Sequence, residues 1–267
     1  MEEAKDFGIY KEDYVQYVNF GLFANEDITA ADGTVIPKNG LIEEIGLSAD
    51  MTAVFNKNLP FGKYYVKERT TDEHYIISDE KYEFEFSYQG DKVPTVMIKT
   101  EEFVNNLKRG SVSGIKIDSE NNSKLSNAEI GLFMGDETEF SENSAILIDI
   151  SGSDGSFGFN DIPYGVYQIK EIKSPEGYIL TDKVFPVTIN ENGQVIEIII
   201  DNEKIRGNVK VKKYDSDTDE KLSGAEFTVY FDDSEEVFGV LSETETGVYT
   251  LSDIPYGKYT IAETKSS

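Results

Sequence analysis

Three times in this 267-residue chain a glutamate falls in the inward phase of a strand-like run: Tyr64-x-Val66-x-Glu68, Tyr167-x-Ile169-x-Glu171 and Tyr259-x-Ile261-x-Glu263. Side chains two residues apart share one face of a strand, so each acid lies on the side that carries Tyr and Val or Ile. A carboxylate on an apolar face is costly unless it is neutralised, paired or used, and its recurrence at one position of a repeated pattern points to built-in chemistry. Lysines recur as well, in an apolar-x-x-x-Lys-x-Asp pattern that ends at Asp13, Asp118 and Asp215. Lys11 is in phase with Phe7 and Ile9, and Lys213 with Val209 and Val211. Lys116 follows Val112 and Gly114 in a weaker phase, because Ile115 and Ile117 point the other way. A third polar group closes two of the repeats. Asn202 is in phase with Ile196, Ile198 and Ile200, and Asn105 stands five residues before Gly110, as Asn202 does before Gly207. Phe103 and Val104 are both apolar, so phase leaves Asn105 and Asn106 open, and the spacing to glycine favours Asn105.

The elements that must position these residues are strands. Each glutamate run follows a turn, Leu59-Pro60-Phe61-Gly62, Ile162-Pro163-Tyr164-Gly165 or Ile254-Pro255-Tyr256-Gly257. Val/Ile/Tyr/Phe-rich runs of period two, separated by Gly, Asn, Asp and Pro, dominate throughout, and no long helical periodicity occurs. Short polar junctions at Asn105-NLKR-Gly110 and Asn202-EKIR-Gly207 divide the chain into units of residues 1–109, 110–206 and 207–267. A period of about 100 residues suits whole domains in series rather than a solenoid. The first unit has a longer middle section, residues 24–57. The third is expected to be incomplete, without the closing strands that the second has in Phe185-PVTI and Val195-IEIII.

Charge and composition exclude several classes of function. With 51 acidic against 25 basic residues, the net charge of -26 opposes binding to nucleic acid or anionic lipid. No cysteine is present, so disulfides and thiolate metal ligands are ruled out. No apolar run reaches the roughly 18 residues of a membrane span, and the start MEEAKDF lacks signal-peptide features, so export would be encoded outside this segment. The single histidine, His74, occupies the place where the second unit has the turn glycine Gly177 and is expected to serve a loop. Common triads and zinc sites cannot be assembled from it. Asp215-x-Asp217-x-Asp219 imitates part of a calcium loop, but Glu220 stands where that loop needs glycine. No metal and no cofactor are expected.

The segments Lys213-Tyr-Asp215 with Leu222-SGAEFTVY, Asp253-IPYGKYTIAE, and Asp161-IPYGVYQIKEIKSPEGY ending at Tyr178 carry a resemblance that extends over essentially the whole chain. The sequence resembles the collagen-adhesin B-type repeats, also called SpaA-like or prealbumin-like domains, of Gram-positive surface proteins and pilins. The resemblance implies an all-β fold of tandem prealbumin-like (Ig-like) β-sandwich domains. In these, a first-strand lysine bonds covalently to a last-strand Asn or Asp, with glutamate as internal catalyst. Burial disfavours both charged forms, so a neutral amine can meet a protonated acid, attack the amide carbonyl and expel ammonia. Carried onto this chain, the sets are Lys116, Glu171 and Asn202 in the second unit and Lys11, Glu68 and Asn105 in the first. Lys5 is an alternative nucleophile there, and Thr70-TDEHY replaces the family's Pro-Glu-Gly-Tyr turn. Lys213 and Glu263 have no asparagine partner in the third unit. The implied role is a stalk or spacer of an extracellular, cell-wall-attached adhesin or pilin-like protein, whose only reaction is self-directed and single-turnover. The rival expectation is a ligand-binding adhesin in which the first unit recognises a host matrix or cell-surface protein.

Overall fold

The computed structural model describes residues 1–48, 50–91, 102–232 and 234–267, arranged as three β-modules in series. In the first, β1 (Asn19–Ala24), β4 (Leu41–Gly46), β5 (Gly62–Thr70) and β6 (Lys81–Phe86) form a sheet of order β4-β1-β5-β6, and β2 (Ile28–Thr29) pairs with β3 (Val35–Ile36). The second contains β7 (Arg109–Asp118), β8 (Glu129–Met134), β9 (Leu147–Ile150), β10 (Ser156–Pro163), β11 (Gly165–Lys173), β12 (Val184–Ile189) and β13 (Gln194–Asn202). Its two sheets, β10-β7-β13 and β12-β11-β8-β9, enclose a core to which both contribute, with Val112, Phe157 and Ile198 on one side and Ile130, Leu132 and Ile169 on the other. The third contains β14 (Arg206–Lys212), β15 (Glu226–Phe231), β16 (Val237–Val240), β17 (Ser242–Glu245), β18 (Val248–Pro255) and β19 (Tyr259–Lys265), in sheets β14-β18-β17 and β16-β15-β19. Among the described residues no helix is long and apolar enough to cross a membrane.

The first and last strands of the second module, β7 and β13, lie side by side and run parallel, with Lys116 opposite Ile200 and Asp118 opposite Asn202. The inward phase of β7 is Val112, Gly114, Lys116 and Asp118, all buried. Gly114 belongs to that phase because the Phe157 ring fills the space where its side chain would be: a Cβ there would lie 2.0 Å from the ring. The core therefore completes a pattern that looks broken in the sequence.

In the first module the segment before β1 departs from expectation. Phe7, Ile9 and Lys11 alternate as a strand would, yet Lys5–Phe7, Lys11–Asp13 and Val15–Tyr17 are 3₁₀ turns, with Gly8 left-handed at φ 71°. The apolar residues of this segment serve another purpose. Ile9 packs with Tyr75 and Leu107, and Phe7 sets its ring edge-on against Tyr167 of the second module.

The two junctions repeat one design. Arg109 donates to the Asp161 carbonyl at 2.7 Å and to Glu2 at 2.6 Å; Arg206 donates to the Asp253 carbonyl at 2.9 Å and to Glu120 at 2.6 Å. The turn tyrosine of each following module rests on a loop of the preceding one. Tyr164 meets His74, with ring centroids 4.5 Å apart, and Tyr256 donates to Glu176 at 2.6 Å. His74 is thus a loop residue, bonded to Asp72 and held between Tyr14 and Tyr164.

Candidate functional site

A tyrosine fixes the strand that carries each glutamate. Tyr64, Tyr167 and Tyr259 donate their hydroxyls to the carbonyls of Pro60, Pro163 and Pro255, at 2.5, 3.0 and 3.0 Å, clamping the turn to the strand that leaves it. Two pairs of residues further on, the acids stand opposite Phe20, Ile130 and Phe227. Immediately beyond each acid the register shifts, so that Thr70 meets Asn19, Lys173 meets Glu129 and Lys265 meets Glu226. A bulge of this kind re-aims neighbouring side chains, and its presence in all three modules makes it a built feature. The regular alternation of the sequence gives no sign of it.

In the second module the structure brings Lys116, Glu171 and Asn202 together across the sandwich. Lys116 and Glu171 are fully buried and Asn202 is 2% exposed. Lys116 Nζ lies 3.5 Å from Glu171 Oε1 and donates to the Ile200 carbonyl at 3.2 Å. Asn202 Nδ2 donates to Glu171 Oε2 at 2.6 Å and to the Ile179 carbonyl at 2.5 Å, and the Thr181 N–H donates to the same carboxylate oxygen at 3.2 Å. Glu171 Oε1 and Asn202 Oδ1 are left without hydrogen bonds. Burial pushes the Lys116 amine down from its ordinary value, against the pull of the Glu171 carboxylate. An amine drawn toward neutrality, an amide with an unengaged carbonyl and a carboxyl touching both are the components of amide exchange.

The first module holds two of these three groups. Glu68 and Asn105 are 1% and 3% exposed, and Asn105 Nδ2 donates to both oxygens of Glu68, at 2.9 and 2.8 Å. The surroundings match the second module residue for residue. The Ser78 N–H donates to Glu68 at 2.7 Å as that of Thr181 does to Glu171, and Asn105 reaches the Ile76 carbonyl at 3.3 Å as Asn202 reaches that of Ile179. Burial raises the Glu68 carboxyl above its ordinary value, opposed by the Ser78 and Asn105 hydrogen bonds. Asn106 is exposed, and its carbonyl accepts the Ile76 N–H.

Neither lysine expected to complete this set does so. Lys11 sits in a 3₁₀ turn with its backbone N–H toward Glu3, and Lys5 is exposed and pairs with Glu3 at 3.7 Å. Neither makes an ion pair or hydrogen bond with Glu68 or Asn105.

In the third module Lys213 and Glu263 meet at 2.7 Å, but their side chains are 28% and 31% exposed. The expectation of a buried Glu263 therefore does not hold. Among the described residues no strand lies where β13 covers the equivalent pair in the second module. Asp215 accepts the N–H groups of Asp217 and Thr218 at 2.9 and 3.0 Å, closing its own loop.

Two residues near the second site, quoted above only as parts of a motif and a junction, have a role that the sequence did not assign. Tyr178 and Lys204 both bond Asp118 at 2.9 Å, at the inner end of β7. Burial would raise the Asp118 carboxyl, but the Lys204 ammonium, the Glu120 N–H and the Tyr178 hydroxyl pull it down to about 2. A folded-state value below the unfolded value of about 3.9 gives stability that is present above pH 4 and lost as pH falls toward 2. The stability difference between wild type and Asp118→Asn should therefore shrink by about 2 kcal/mol between pH 7 and pH 2. Denaturant unfolding at both pH values measures it, and a pH-independent difference would show that Asp118 is not held ionised.

A family model described as SpaA, prealbumin-like fold domain, matches residues 5–101, 110–204 and 207–267. Among solved structures, the Bacillus anthracis TIE protein is 26% identical with a TM-score of 0.62; the alignment covers 94% of this chain, which spans 43% of that one. A streptococcal ancillary pilin is 21% identical over 87% of this chain and 71% of its own, with a TM-score of 0.35. The C-terminal fragment of the pilus adhesin SpaC from Lactobacillus rhamnosus GG is 14% identical over 72% and 92%, with a TM-score of 0.43. A search of curated proteins gave no match. Three family matches, each over a module whose glutamate strand follows a tyrosine-clamped proline turn, establish that the chain belongs to the family of SpaA prealbumin-like fold domains.

Proposed function

We propose that this chain is a load-bearing stalk segment of an extracellular surface protein of the adhesin or pilin type, and that its second module is locked by an amide bond between Lys116 and Asn202. The observation that carries this reading is the sealed triplet: a lysine, a glutamate and an asparagine buried together, with Glu171 Oε1 and Asn202 Oδ1 lacking hydrogen bonds. Left as separate groups they burden the fold, because a buried charge or unsatisfied polar atom costs several kcal/mol. Condensation removes the charge pair. The neutral Lys116 amine attacks the Asn202 side-chain carbonyl carbon, Glu171 relays the proton from the amine to the departing nitrogen, and ammonia leaves. One C–N bond forms and one breaks.

The position of the bond suits tension. Load enters the module at the start of β7 and leaves at the end of β13, where three residues separate Asn202 from β14. The proposed bond joins these parallel neighbours near their exits, so tension bypasses everything between Lys116 and Asn202. Single-molecule pulling on the whole chain tests the role. The wild-type second module should give no extension, whereas Lys116→Met should release roughly 290 Å, at about 3.4 Å per residue for the 86-residue separation. Release of that length from wild type at the same force contradicts the proposal.

A further inference from the structure

We propose that the outer face of the first module's four-stranded sheet carries a binding site for a carboxylated saccharide, in the cavity bounded by Tyr65, Lys67, Arg69 and Lys81. The cavity measures about 400 Å³, within the range of roughly 300–1,000 Å³ usual for small-molecule sites. Its floor is a pair of stacked rings, Phe23 and Tyr65, with centroids 5.0 Å apart and planes at 9°. Three cations stand around them. Lys81 Nζ lies 4.6 Å from the Tyr65 ring centroid, the Arg69 guanidinium lies 6.0 Å from that of Phe23, and Lys67 is the register partner of Lys81. In a chain of net charge -26 this concentration of positive charge is a local exception.

The second module closes the matching place with its own chain. In both modules a glycine makes room for the phenylalanine two residues on: a Cβ at Gly21 or Gly131 would lie 2.6 Å from the ring of Phe23 or Phe133. Register sets Gln168 opposite Phe133 where Tyr65 stands opposite Phe23, and Lys170 opposite Gly131 where Lys67 stands opposite Gly21. Phe140 then sets its ring edge-on against Phe133 at 5.0 Å, with Lys170 over it at 5.4 Å. Gln168 ties that loop down by donating to the Gly135 and Glu137 carbonyls, at 2.8 and 3.2 Å. In the first module Tyr65 replaces the glutamine and donates to Asn39 at 3.2 Å, and the place that Phe140 fills is a cavity open to solvent.

The walls define the ligand. Lys67 and Arg69 already hold carboxylates, Asp79 at 3.2 Å and Glu44 at 3.3 Å, in exposed pairs that contribute little, so a ligand carboxylate exchanges with them at small cost. Arg69 packs over Gly21 and Lys81 is seated on Tyr65, so both cations are ordered before a ligand arrives. An arginine fork takes a carboxylate through two N–H groups. Ile77, 43% exposed, adds an apolar wall, and the Asn39 side chain, whose oxygen accepts from Tyr65, has its NH₂ for hydroxyl groups. A sugar acid combines that apolar ring face, hydroxyl edge and single charge. Glu68 borders the cavity, but its carboxylate is bonded to Asn105 and Ser78. A peptide strand would need an open backbone edge, whereas β5 lies between β1 and β6, and a long polyanion would meet the net charge of -26.

Titration of the full chain, followed by proton–nitrogen NMR, tests the site. Glucuronic acid and N-acetylneuraminic acid should both shift the amides of Tyr65, Lys67, Arg69 and Lys81 to saturation, and glucose and N-acetylglucosamine should bind at least roughly tenfold more weakly. Arg69→Gln should weaken the acid sugars at least roughly tenfold and Lys81→Gln about threefold, with Lys170→Gln in the second module leaving them unchanged. Spectra unaltered away from β5 and β6 verify that the variants fold. The absence of shifts with either acid sugar, equal affinity for acetate, or tighter binding of tetra-aspartate than of the sugars each overturns the proposal. None of these outcomes bears on the Lys116–Asn202 bond.

Discussion

Substituting Glu171 with glutamine leaves Lys116 and Asn202 side by side and unlinked. Glutamine keeps the volume and can still accept the Thr181 N–H, but it cannot take a proton from the amine and return it to a leaving nitrogen. General acid–base catalysis is worth roughly 10²–10⁴ in rate, so the Lys116–Asn202 peptide should disappear from a digest made on the timescale at which wild type is fully linked. Loss of the bond also removes a closed loop of 86 residues. The loop-entropy relation used for disulfides puts that at about 4–5 kcal/mol, which corresponds to roughly 20 °C or more in melting temperature for a domain of this size. Glu171→Ala should lose the bond equally and cost more, because it strands Lys116 in the core with only the Ile200 carbonyl as partner. A linked peptide at wild-type yield in either variant would remove Glu171 from the chemistry.

The second large effect separates the modules by local stability. In the second, β7 lies between β10 and β13, and 13 buried residues form the core cluster; in the third, β14 pairs with β18 alone, and the described cluster has four. Exchange protection follows buried apolar contact and the pairing of strand edges. Amides of β14 should exchange at least roughly tenfold faster than those of β7, and protease should cut within residues 207–267 before it cuts within 110–206. A peptide with the sequence of β13, which carries the inward asparagine that Lys213 and Glu263 lack, should slow both processes. Equal protection of the two modules in a demonstrated monomer would mean that the third is complete without a further strand.

The sequence made the acids legible because their position relative to the proline turn is local, and the tyrosine clamp keeps it so. Asn202 was legible for a related reason, lying in a strand whose apolar phase runs through it, whereas Lys116 was legible from the repeated apolar-x-x-x-Lys-x-Asp spacing, its own phase being completed only by the Phe157 ring over Gly114. Lys11 misled because alternation in Phe7, Ile9 and Lys11 reports that two side chains are buried, not where. Here they fill the junction, against Tyr75, Leu107 and Tyr167, and left-handed Gly8 breaks the extended run. Glu263 carries the same local pattern as Glu68 and Glu171, but its burial depends on a covering strand that no local pattern reports. The bulges beyond the acids and the Tyr178–Asp118–Lys204 cluster arise from pairing between distant segments, which periodicity along one segment does not record.

The central claim concerns a covalent bond, and intact mass reads it directly. The purified chain should weigh one ammonia less than its sequence, with the loss mapped to a Lys116–Asn202 linked peptide and abolished by Lys116→Met. A single loss is expected because, among the described residues, no lysine pairs with Glu68 or bonds Asn105 in the first module, and no asparagine bonds Lys213 or Glu263 in the third. A mass equal to that of the sequence, from protein shown to be folded, would contradict the account.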